Sequence, residues 1–204
     1  GKGYYGKVML CREKKTNRIY AIKTVHKARL IKSGKILTIF AERNVLLKVK
    51  HPFIVRIHFA FQNNTKFYLG LEYVPGGELF KHLADSGRLP LDEIRLYIAE
   101  MALAIDYLHS MHVIYRDLKP ENILIDLEGH LKLTDFGLVK DISAMSSTST
   151  FCGTSEYLAP EIIKERSYDE MIDWWELGIM TYELAFGDTP YVHRNKAKMY
   201  DEIC

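Results

Sequence analysis

The chain has 204 residues, of which 48% are hydrophobic and 26% are charged, so it can bury a sizeable core and is not a disordered polypeptide. Its 28 Lys and Arg against 26 Asp and Glu give a net charge of +2, which argues against a nucleic-acid-binding protein. It contains no apolar run of about 18 residues, the length needed to cross a bilayer.

The three cysteines, Cys11, Cys152 and Cys204, are widely spaced and include no CxxC pair. This pattern argues against a disulfide scaffold or a structural zinc site and favours a reducing compartment. We therefore expect a cytoplasmic protein, with the nucleus as a second location.

The charge is unevenly distributed along the chain. Residues 1–50 carry a net charge of +12, whereas residues 51–204 carry a net charge of −10. The asymmetry predicts two lobes with different tasks, one that meets a polyanion and one that meets a cationic partner. The alternative is two solvated surfaces that attract each other.

The first part of the chain is predicted to be mainly β. Short β-prone runs occupy residues 8–11, 19–25, 53–61 and 66–73. Residues 35–49 have the apolar spacing of a helix with one buried side. Residues 75–77, Pro-Gly-Gly, form the clearest linker in the chain and also mark the change in charge.

The second part is predicted to be mainly helical. Helical periodicity covers residues 78–86, 92–111 and 173–186, with Gly187 as the C-cap of the last helix. Two short strand-like runs lie at 123–125 and 131–133, and residues 143–150 form a flexible, hydroxyl-rich stretch.

A glycine-rich pattern, GxGxxGxV, opens the chain with Gly1, Gly3, Gly6 and Val8. Glycine lets backbone N–H groups approach phosphate oxygens closely. Dinucleotide-binding folds share the pattern, but they continue into a helix and carry an acidic residue about 20 positions later. Here a strand with a lysine follows, so the sequence predicts a phosphate-binding loop of another kind.

Lys23 lies on a predicted strand that is expected to pack against the helix carrying Glu42. A lysine held by a glutamate in a cleft can orient phosphates as a fixed positive charge. For this pair alone, without the other motifs, a surface ion pair is the favoured interpretation.

The strongest signal is the string Tyr-Arg-Asp-Leu-Lys-Pro-Glu-Asn at residues 115–122, followed by Asp-Phe-Gly at 135–137. Phosphoryl transfer needs a carboxylate near the attacking hydroxyl and oxygen ligands for Mg²⁺. Asp117 fits the first task, and Asn122 and Asp135 fit the second. Ala-Pro-Glu at 159–161 completes the set.

These strings, in this order, resemble the catalytic domain of eukaryotic protein kinases. AERNVL at 41–46, LKLTDFG at 131–137, TFCGT at 150–154 and DWW at 173–175 are similar to the AGC group, and the closest likeness is to the ribosomal S-six kinase subfamily. The resemblance implies an α+β, two-lobed protein-kinase-like fold. It divides the chain into an N-lobe (1–74), a hinge (75–77) and a partial C-lobe (78–204).

The resemblance also implies site residues and ligands. The cofactors are ATP and Mg²⁺, the latter held by Asn122 and Asp135, and the catalytic residues are Lys23, Glu42, Asp117 and Lys119. The implied ATP-binding residues are Gly1, Gly3, Gly6, Val8, Ala21, Lys23, Leu71, Glu72, Val74, Glu78, Leu124 and Thr134.

Substrates are expected to be proteins with basic residues before the phosphoacceptor. Glu78, Glu121 and Glu183 match positions where AGC kinases bind arginine two and three residues before it, because carboxylate–guanidinium pairs are directional and charge-assisted. The expected site is RxRxxS/T, and Thr154, with Lys119, marks a preference for Ser/Thr over Tyr.

Regulation is expected at Thr150, which lies between the Asp-Phe-Gly and Ala-Pro-Glu strings. Phosphorylation by an upstream phosphoinositide-dependent kinase would give Arg116 and Lys140 an anionic partner. Glu176 departs from the family pattern, which has a small residue there, and is an unexplained charge if that face is buried.

Alternatives remain open at this stage. The chain is interpreted as a fragment, because it opens inside the glycine-rich loop and the resembled domains continue past residue 204. A nucleotide-binding pseudokinase or scaffold, another AGC subfamily, or a small-molecule kinase would carry related motifs.

Overall fold

The computed structural model describes residues 6–143 and 147–204. Its strands are β1 (Gly6–Arg12), β2 (Ile19–His26), β3 (Ile57–Gln62), β4 (Lys66–Glu72), β5 (Val113–Ile114), β6 (Ile123–Ile125), β7 (Leu131–Leu133) and β8 (Lys140–Asp141). Its helices are α1 (Lys27–Lys32), α2 (Ile36–Lys48), α3 (Leu79–Ser86), α4 (Leu91–Ser110), α5 (Pro160–Ile163), α6 (Met171–Phe186) and α7 (Lys196–Ile203).

Four of the strands form an antiparallel sheet in the order β1-β2-β4-β3. Strand β2 is central and rich in β-branched and aromatic residues, and it buries Tyr20, Ile22 and Thr24 on alternate positions. A mainly helical part follows this sheet along the chain. The predicted α+β, kinase-like fold class is confirmed.

Helix α2 packs on the sheet through Ile39, Glu42, Val45 and Leu46, whose spacing places them on one face. The predicted helix at 35–49 is therefore confirmed to within a residue at each end. The short helix α1 was not predicted, because its six residues bury only Leu30 and show no period.

The predicted strand at 53–61 begins late, at Ile57. The preceding residues instead hydrogen-bond to the β6–β7 hairpin: Val55 N–H donates to the Leu133 carbonyl, and Leu133 N–H donates to the Phe53 carbonyl. An apolar run can make its backbone hydrogen bonds either in the four-stranded sheet or with the β6–β7 hairpin, so the sequence pattern does not distinguish these two arrangements.

Helices α4 and α6 build the core of the second part. Pro90 precedes α4, and Asp92 and Glu93 in its first turn complement the helix dipole. Ala104 and Leu108 are fully buried within the core that α4 shares with α6. In the part of the chain that the structure describes, no helix combines the length and apolarity needed to cross a bilayer.

The C-terminal ends of α3 and α6 meet through two glycines. Gly87 and Gly187 both have left-handed backbone conformations, with φ of 73° and 87°. A Cβ at Gly187 would lie 2.2 Å from the Gly87 carbonyl oxygen, so the position requires glycine for space as well as for φ. The predicted C-cap at Gly187 is confirmed.

We expect Gly187→Ala to destabilise the protein more than Gly129→Ala does. Both glycines have φ near 86°, but a Cβ at Gly129 meets nothing within 4 Å. Each substitution costs about 1–2 kcal/mol for the left-handed backbone, and Gly187→Ala adds the cost of displacing a main-chain carbonyl. Urea denaturation measures both, and equal losses would show that the close approach does not matter.

Candidate active site

One lysine joins the sheet, a helix and the second half of the chain. Lys23 Nζ lies 2.6 Å from Glu42 Oε1 and 2.8 Å from Asp135 Oδ1. β2 supplies the lysine, α2 supplies the glutamate, and the segment after β7 supplies the aspartate. The predicted pairing of Lys23 with Glu42 is thus present, and Asp135 is added to it.

The ion pairs set the charges of this cluster. Burial alone would lower the pKa of Lys23, but Glu42 and Asp135 outweigh it and raise that pKa well above its ordinary value. Burial would raise the pKa of Asp135, but Lys23 holds it below its ordinary value, with a smaller contribution from Lys119. The amine therefore remains cationic and Asp135 anionic at neutral pH.

A second cluster surrounds the carboxylate of Asp117. Its Oδ1 accepts hydrogen bonds from Thr154 Oγ1 at 2.8 Å and Lys119 Nζ at 3.1 Å. Its Oδ2 accepts from Asn122 Nδ2 at 2.7 Å, and Lys119 also donates to Thr154 at 2.6 Å. Four predicted site residues are therefore brought together, and the electrostatic effect of Lys119 on Asp135 links this cluster to Lys23.

The backbone before Asp117 is fastened to helix α6. Asp173, which is fully buried, accepts hydrogen bonds from the N–H groups of Tyr115 and Arg116 at 2.9 and 2.8 Å. Its Oδ2 also lies 2.7 Å from His109 Nε2. Buried charge-assisted hydrogen bonds of this kind are strong and directional, so they define where the following aspartate lies.

Two site residues have backbone conformations that are unusual for residues other than glycine. Arg116 has φ of 72° and Asp135 has φ of 53°. Such conformations are costly and persist where the surrounding structure enforces them. Arg116 directly precedes Asp117, and Asp135 is itself a predicted cation ligand.

Asn122 and Asp135 fit a divalent cation by the chemistry of their donor atoms. Asn122 uses Nδ2 to donate to Asp117, which leaves its Oδ1 as the atom for a cation. Thr134 N–H donates to the Asn122 carbonyl, so β6 and β7 hold Asn122 beside the residue that precedes Asp135. Amide and carboxylate oxygens suit Mg²⁺, which takes few protein ligands and keeps phosphate and water oxygens.

Four of the predicted ATP-binding residues, which are apolar, lie on the four-stranded sheet and on β6. Val8 on β1, Ala21 on β2 and Leu71 on β4 occupy neighbouring strands, and Ala21 pairs directly with Leu71. Leu124 lies on β6, bridged to Glu78. Gly1 and Gly3 lie outside the described residues, whereas Gly6 begins β1.

In the polypeptide between β4 and α3, the backbone N–H and C=O of Val74 are open to a ligand. Glu72 N–H donates to the Arg56 carbonyl, and its carboxylate contacts Lys132. The backbone N–H and C=O of Val74 make no hydrogen bond to any residue in 6–143 or 147–204. A ligand with complementary edges can therefore bind there.

Gly76 approaches the Ile125 carbonyl too closely for any side chain, since a Cβ would lie 2.4 Å from that oxygen.

Four apolar residues connect the two parts of the chain through one core. Leu46, Ile57, Tyr115 and Phe136 are all buried in the same cluster, and the rings of Tyr115 and Phe136 meet edge to face at 5.3 Å.

The predicted phosphorylation segment is held by a tyrosine that sequence reasoning missed. Arg116 Nη1 donates to the Tyr168 hydroxyl at 3.1 Å, and that hydroxyl donates to the Thr150 carbonyl at 2.6 Å. Burial raises the pKa of Tyr168 to about 12, so the hydroxyl keeps its proton at neutral pH. The Thr150 side chain is exposed, and within the described residues Lys140 makes no hydrogen bond to it. Nothing in the sequence around Tyr168 marks it.

The three predicted substrate-binding glutamates differ in surroundings. Glu78 and Glu121 are exposed, at the start of α3 and just after Lys119 and Pro120. Glu183 on α6 accepts a hydrogen bond from the Tyr157 hydroxyl. Burial, followed by the charge of Glu183, raises the pKa of Tyr157 far above its ordinary value, so the hydroxyl stays a donor.

Comparison with known proteins gives a consistent result. The family model described as "Protein kinase domain" matches residues 1–204. Serine/threonine-protein kinase Sgk1 of Homo sapiens is 52% identical over 205 aligned residues, which cover 100% of this chain and 48% of that protein. Sgk1 of Gallus gallus is 51% identical with the same coverage, and Sgk1 of Danio rerio is 50% identical over 47% of its length. The chain spans about half the length of these curated relatives.

We expect Tyr168→Phe to loosen the segment that carries Thr150. The substitution removes one acceptor from Arg116 and one donor to the Thr150 carbonyl, and it should lower the free energy of unfolding by about 1–2 kcal/mol. Limited proteolysis should also cut residues 147–152 faster. Tyr73→Phe, at an exposed tyrosine, is the control. Identical proteolysis of both variants would contradict the role of the hydroxyl.

Proposed function

Because this chain belongs to the protein kinase domain family, we propose that it transfers the γ-phosphate of ATP to serine and threonine hydroxyls of proteins. The observation that carries the proposal is the Lys23 amine, which forms ion pairs with both Glu42 and Asp135. Asp135 in turn lies within electrostatic range of Lys119, which belongs to the Asp117 cluster. This arrangement concentrates a fixed cation, a cation-binding carboxylate and a hydroxyl-orienting carboxylate in one place.

The roles of the residues follow from their charges and contacts. Asp117 would orient the substrate hydroxyl and accept its proton as the new oxygen–phosphorus bond forms and the bond to the β-phosphate oxygen breaks. Lys23 would orient the phosphates, and Lys119 would stabilise negative charge on the transferred group. Asn122 and Asp135 would hold Mg²⁺, which neutralises phosphate oxygens when it is bound.

We also propose that adenine lies between Val8 and Ala21 on one side and Leu124 on the other, with Leu71 at the rear. The open backbone N–H and C=O of Val74 support this, because adenine presents one donor and one acceptor along an edge. Gly1, Gly3, Gly6, Glu72, Glu78 and Thr134 complete the proposed ATP-binding set. The division into an N-lobe at 1–74, a hinge at 75–77 and a partial C-lobe at 78–204 remains part of the same proposal.

Assignment to a group and subfamily rests on similarity. The identity to Sgk1 and the motifs quoted above support the AGC group. The relatives reported above carry the name Sgk1, and the finer prediction of a ribosomal S-six kinase remains a prediction. The free cysteines of the described residues support the proposed cytoplasmic or nuclear location, since reducing compartments keep thiols unpaired.

Phosphorylation of Thr150 is the proposed activating event, with a phosphoinositide-dependent kinase as the upstream enzyme. The Thr150 side chain is exposed, and Arg116 already reaches its backbone through the Tyr168 hydroxyl. A phosphate there would add roughly −1.5 to −2 charge, which Arg116 and Lys140 could neutralise if the loop moved toward them.

The proposed function predicts the behaviour of two conservative variants. Asp117→Asn and Asp135→Asn should each lower the phosphotransfer rate of the full-length protein by at least about 100-fold, because each removes a charge from the reacting centre without changing shape. Asp106→Asn, at an exposed position on α4, is the matched control. The readout is transfer of ³²P from ATP to a Ser/Thr peptide.

Three outcomes would contradict the proposal in different ways. Equal activity in wild type and Asp135→Asn would end the kinase assignment. ATP binding with no transfer above that of Asp117→Asn would favour a pseudokinase. Phosphorylation of a free metabolite but of no peptide would favour a small-molecule kinase.

Substrate choice is proposed to follow from Glu78, Glu121 and Glu183, with Thr154 beside the reacting hydroxyl. Glu121→Gln should raise KM for an RxRxxS peptide roughly tenfold at unchanged kcat, because it removes a charge-assisted pair. Replacing one arginine of the peptide by alanine should then cost the variant less than it costs wild type. Glu128→Gln is the exposed control. Equal arginine dependence in wild type and Glu121→Gln would refute this contact.

A further inference from the structure

A buried glutamate on helix α6 contacts the segment that carries Asp117. Glu176 is 1% exposed on helix α6, and its Oε2 accepts a hydrogen bond from the Leu118 N–H at 2.8 Å. Its other oxygen, Oε1, has no hydrogen-bond partner among the described residues. Leu118, which is fully buried, directly follows Asp117.

Glu176 continues a pattern that Asp173 begins one helical turn earlier. Asp173 holds the N–H groups of Tyr115 and Arg116, and Glu176 holds the N–H of Leu118. Two carboxyl groups three residues apart on α6 thus anchor the backbone on both sides of Asp117. Residues three apart lie on the same face of a helix, which is why both groups reach the same loop.

We propose that Glu176 is a positioning residue that fixes the peptide after Asp117, so that the Asp117 carboxylate is aimed by α6 from both sides. This role rests on the proposed kinase activity. It acts through the main chain, since the side-chain partners of Asp117 are Lys119, Thr154 and Asn122.

Glu176 performs this task as a neutral acid. Burial, followed by the negative charge of Asp173, raises its pKa well above the ordinary value, and Asp117 contributes in the same direction. Of the nearby groups, the Leu118 N–H and Lys119 act in the opposite direction without overcoming this effect. In a protonated carboxyl one oxygen accepts and the other carries the proton. Because Oε2 accepts from the Leu118 N–H, the proton of the neutral acid belongs on Oε1.

A neutral acceptor is what the loop requires at this point. The Leu118 N–H is shielded from water, so without Glu176 it would be a buried donor with no acceptor. An ionised glutamate would instead place a second negative charge next to Asp173 and close to Asp117. Glutamine is expected to replace Glu176 well, because it is neutral, has the same shape and keeps a carbonyl oxygen for Leu118.

The experiment compares Glu176→Gln with Glu176→Met in the full-length protein. Met fills the same space but cannot accept the hydrogen bond. We expect Gln to keep kcat within about twofold of wild type and Met to lower kcat roughly tenfold, with KM for ATP and for peptide unchanged in both. Leu184→Ala, two turns farther along α6, is the stability control. It should lower the unfolding midpoint and leave kcat unchanged.

A second measurement does not depend on activity. Amide hydrogen exchange at Leu118 should be faster in Glu176→Met than in wild type, and Glu176→Gln should protect the amide as wild type does. Wild-type kcat in Glu176→Met, an equal loss in Gln and Met, or equal Leu118 exchange in all forms would overturn the positioning role. If the wild-type protein were no more active than Asp117→Asn, the kinase assignment would be refuted instead. Amide hydrogen exchange at Leu118 would still show whether Glu176 holds the Leu118 N–H.

Discussion

The ion pairs of Lys23 are the interaction on which the site depends. A single amine, 2.6 Å from Glu42 and 2.8 Å from Asp135, ties together β2, α2 and the segment after β7, which lie far apart in sequence. Glu42 is 3% exposed, and burial raises the pKa of its carboxyl while the Lys23 amine opposes that shift. Any movement of α2 away from the sheet would therefore separate Glu42 from Lys23 and leave Asp135 as the remaining ion-pair partner of that amine among the described residues.

Backbone anchoring by buried acids is the second constraint. Asp173 and Glu176 on α6 hold the N–H groups of residues 115, 116 and 118, and side chains hold the Asp117 carboxylate from the other side. Arg116, between these anchors, extends through Tyr168 to Thr150. The main chain at residues 115–118 therefore positions Asp117, and Arg116 in the same stretch contacts the Thr150 segment through Tyr168. These contacts form a physical route from a modification at Thr150 to the reacting centre.

Sequence reasoning identified the long periodic elements and failed where periodicity is absent. Helices α2, α4 and α6 and strands β2 and β4 carry enough regular apolar positions to be recognised, and their ends were predicted to within about two residues. The short helix α1 and the true start of β3 were missed, because hydrogen bonds to distant residues decide them. Tyr168 was missed for the same reason, since its two partners lie 52 and 18 residues away.

Short strings with fixed spacing encode local chemistry, so the amino-acid sequence was enough to identify the family, the fold class and the residue types available for phosphoryl transfer. It also singled out Glu176 as a departure without explaining it. The three-dimensional arrangement was needed to find that Asp135 shares Lys23 with Glu42 and that Glu176 holds the Leu118 N–H next to Asp117. It was also needed to find that Lys140 makes no hydrogen bond to Thr150 within the described residues. The contacts of Asp135 with Lys23 and of Glu176 with Leu118 span 112 and 58 residues of chain, and a pattern along the sequence contains no information about which distant side chains share one buried volume.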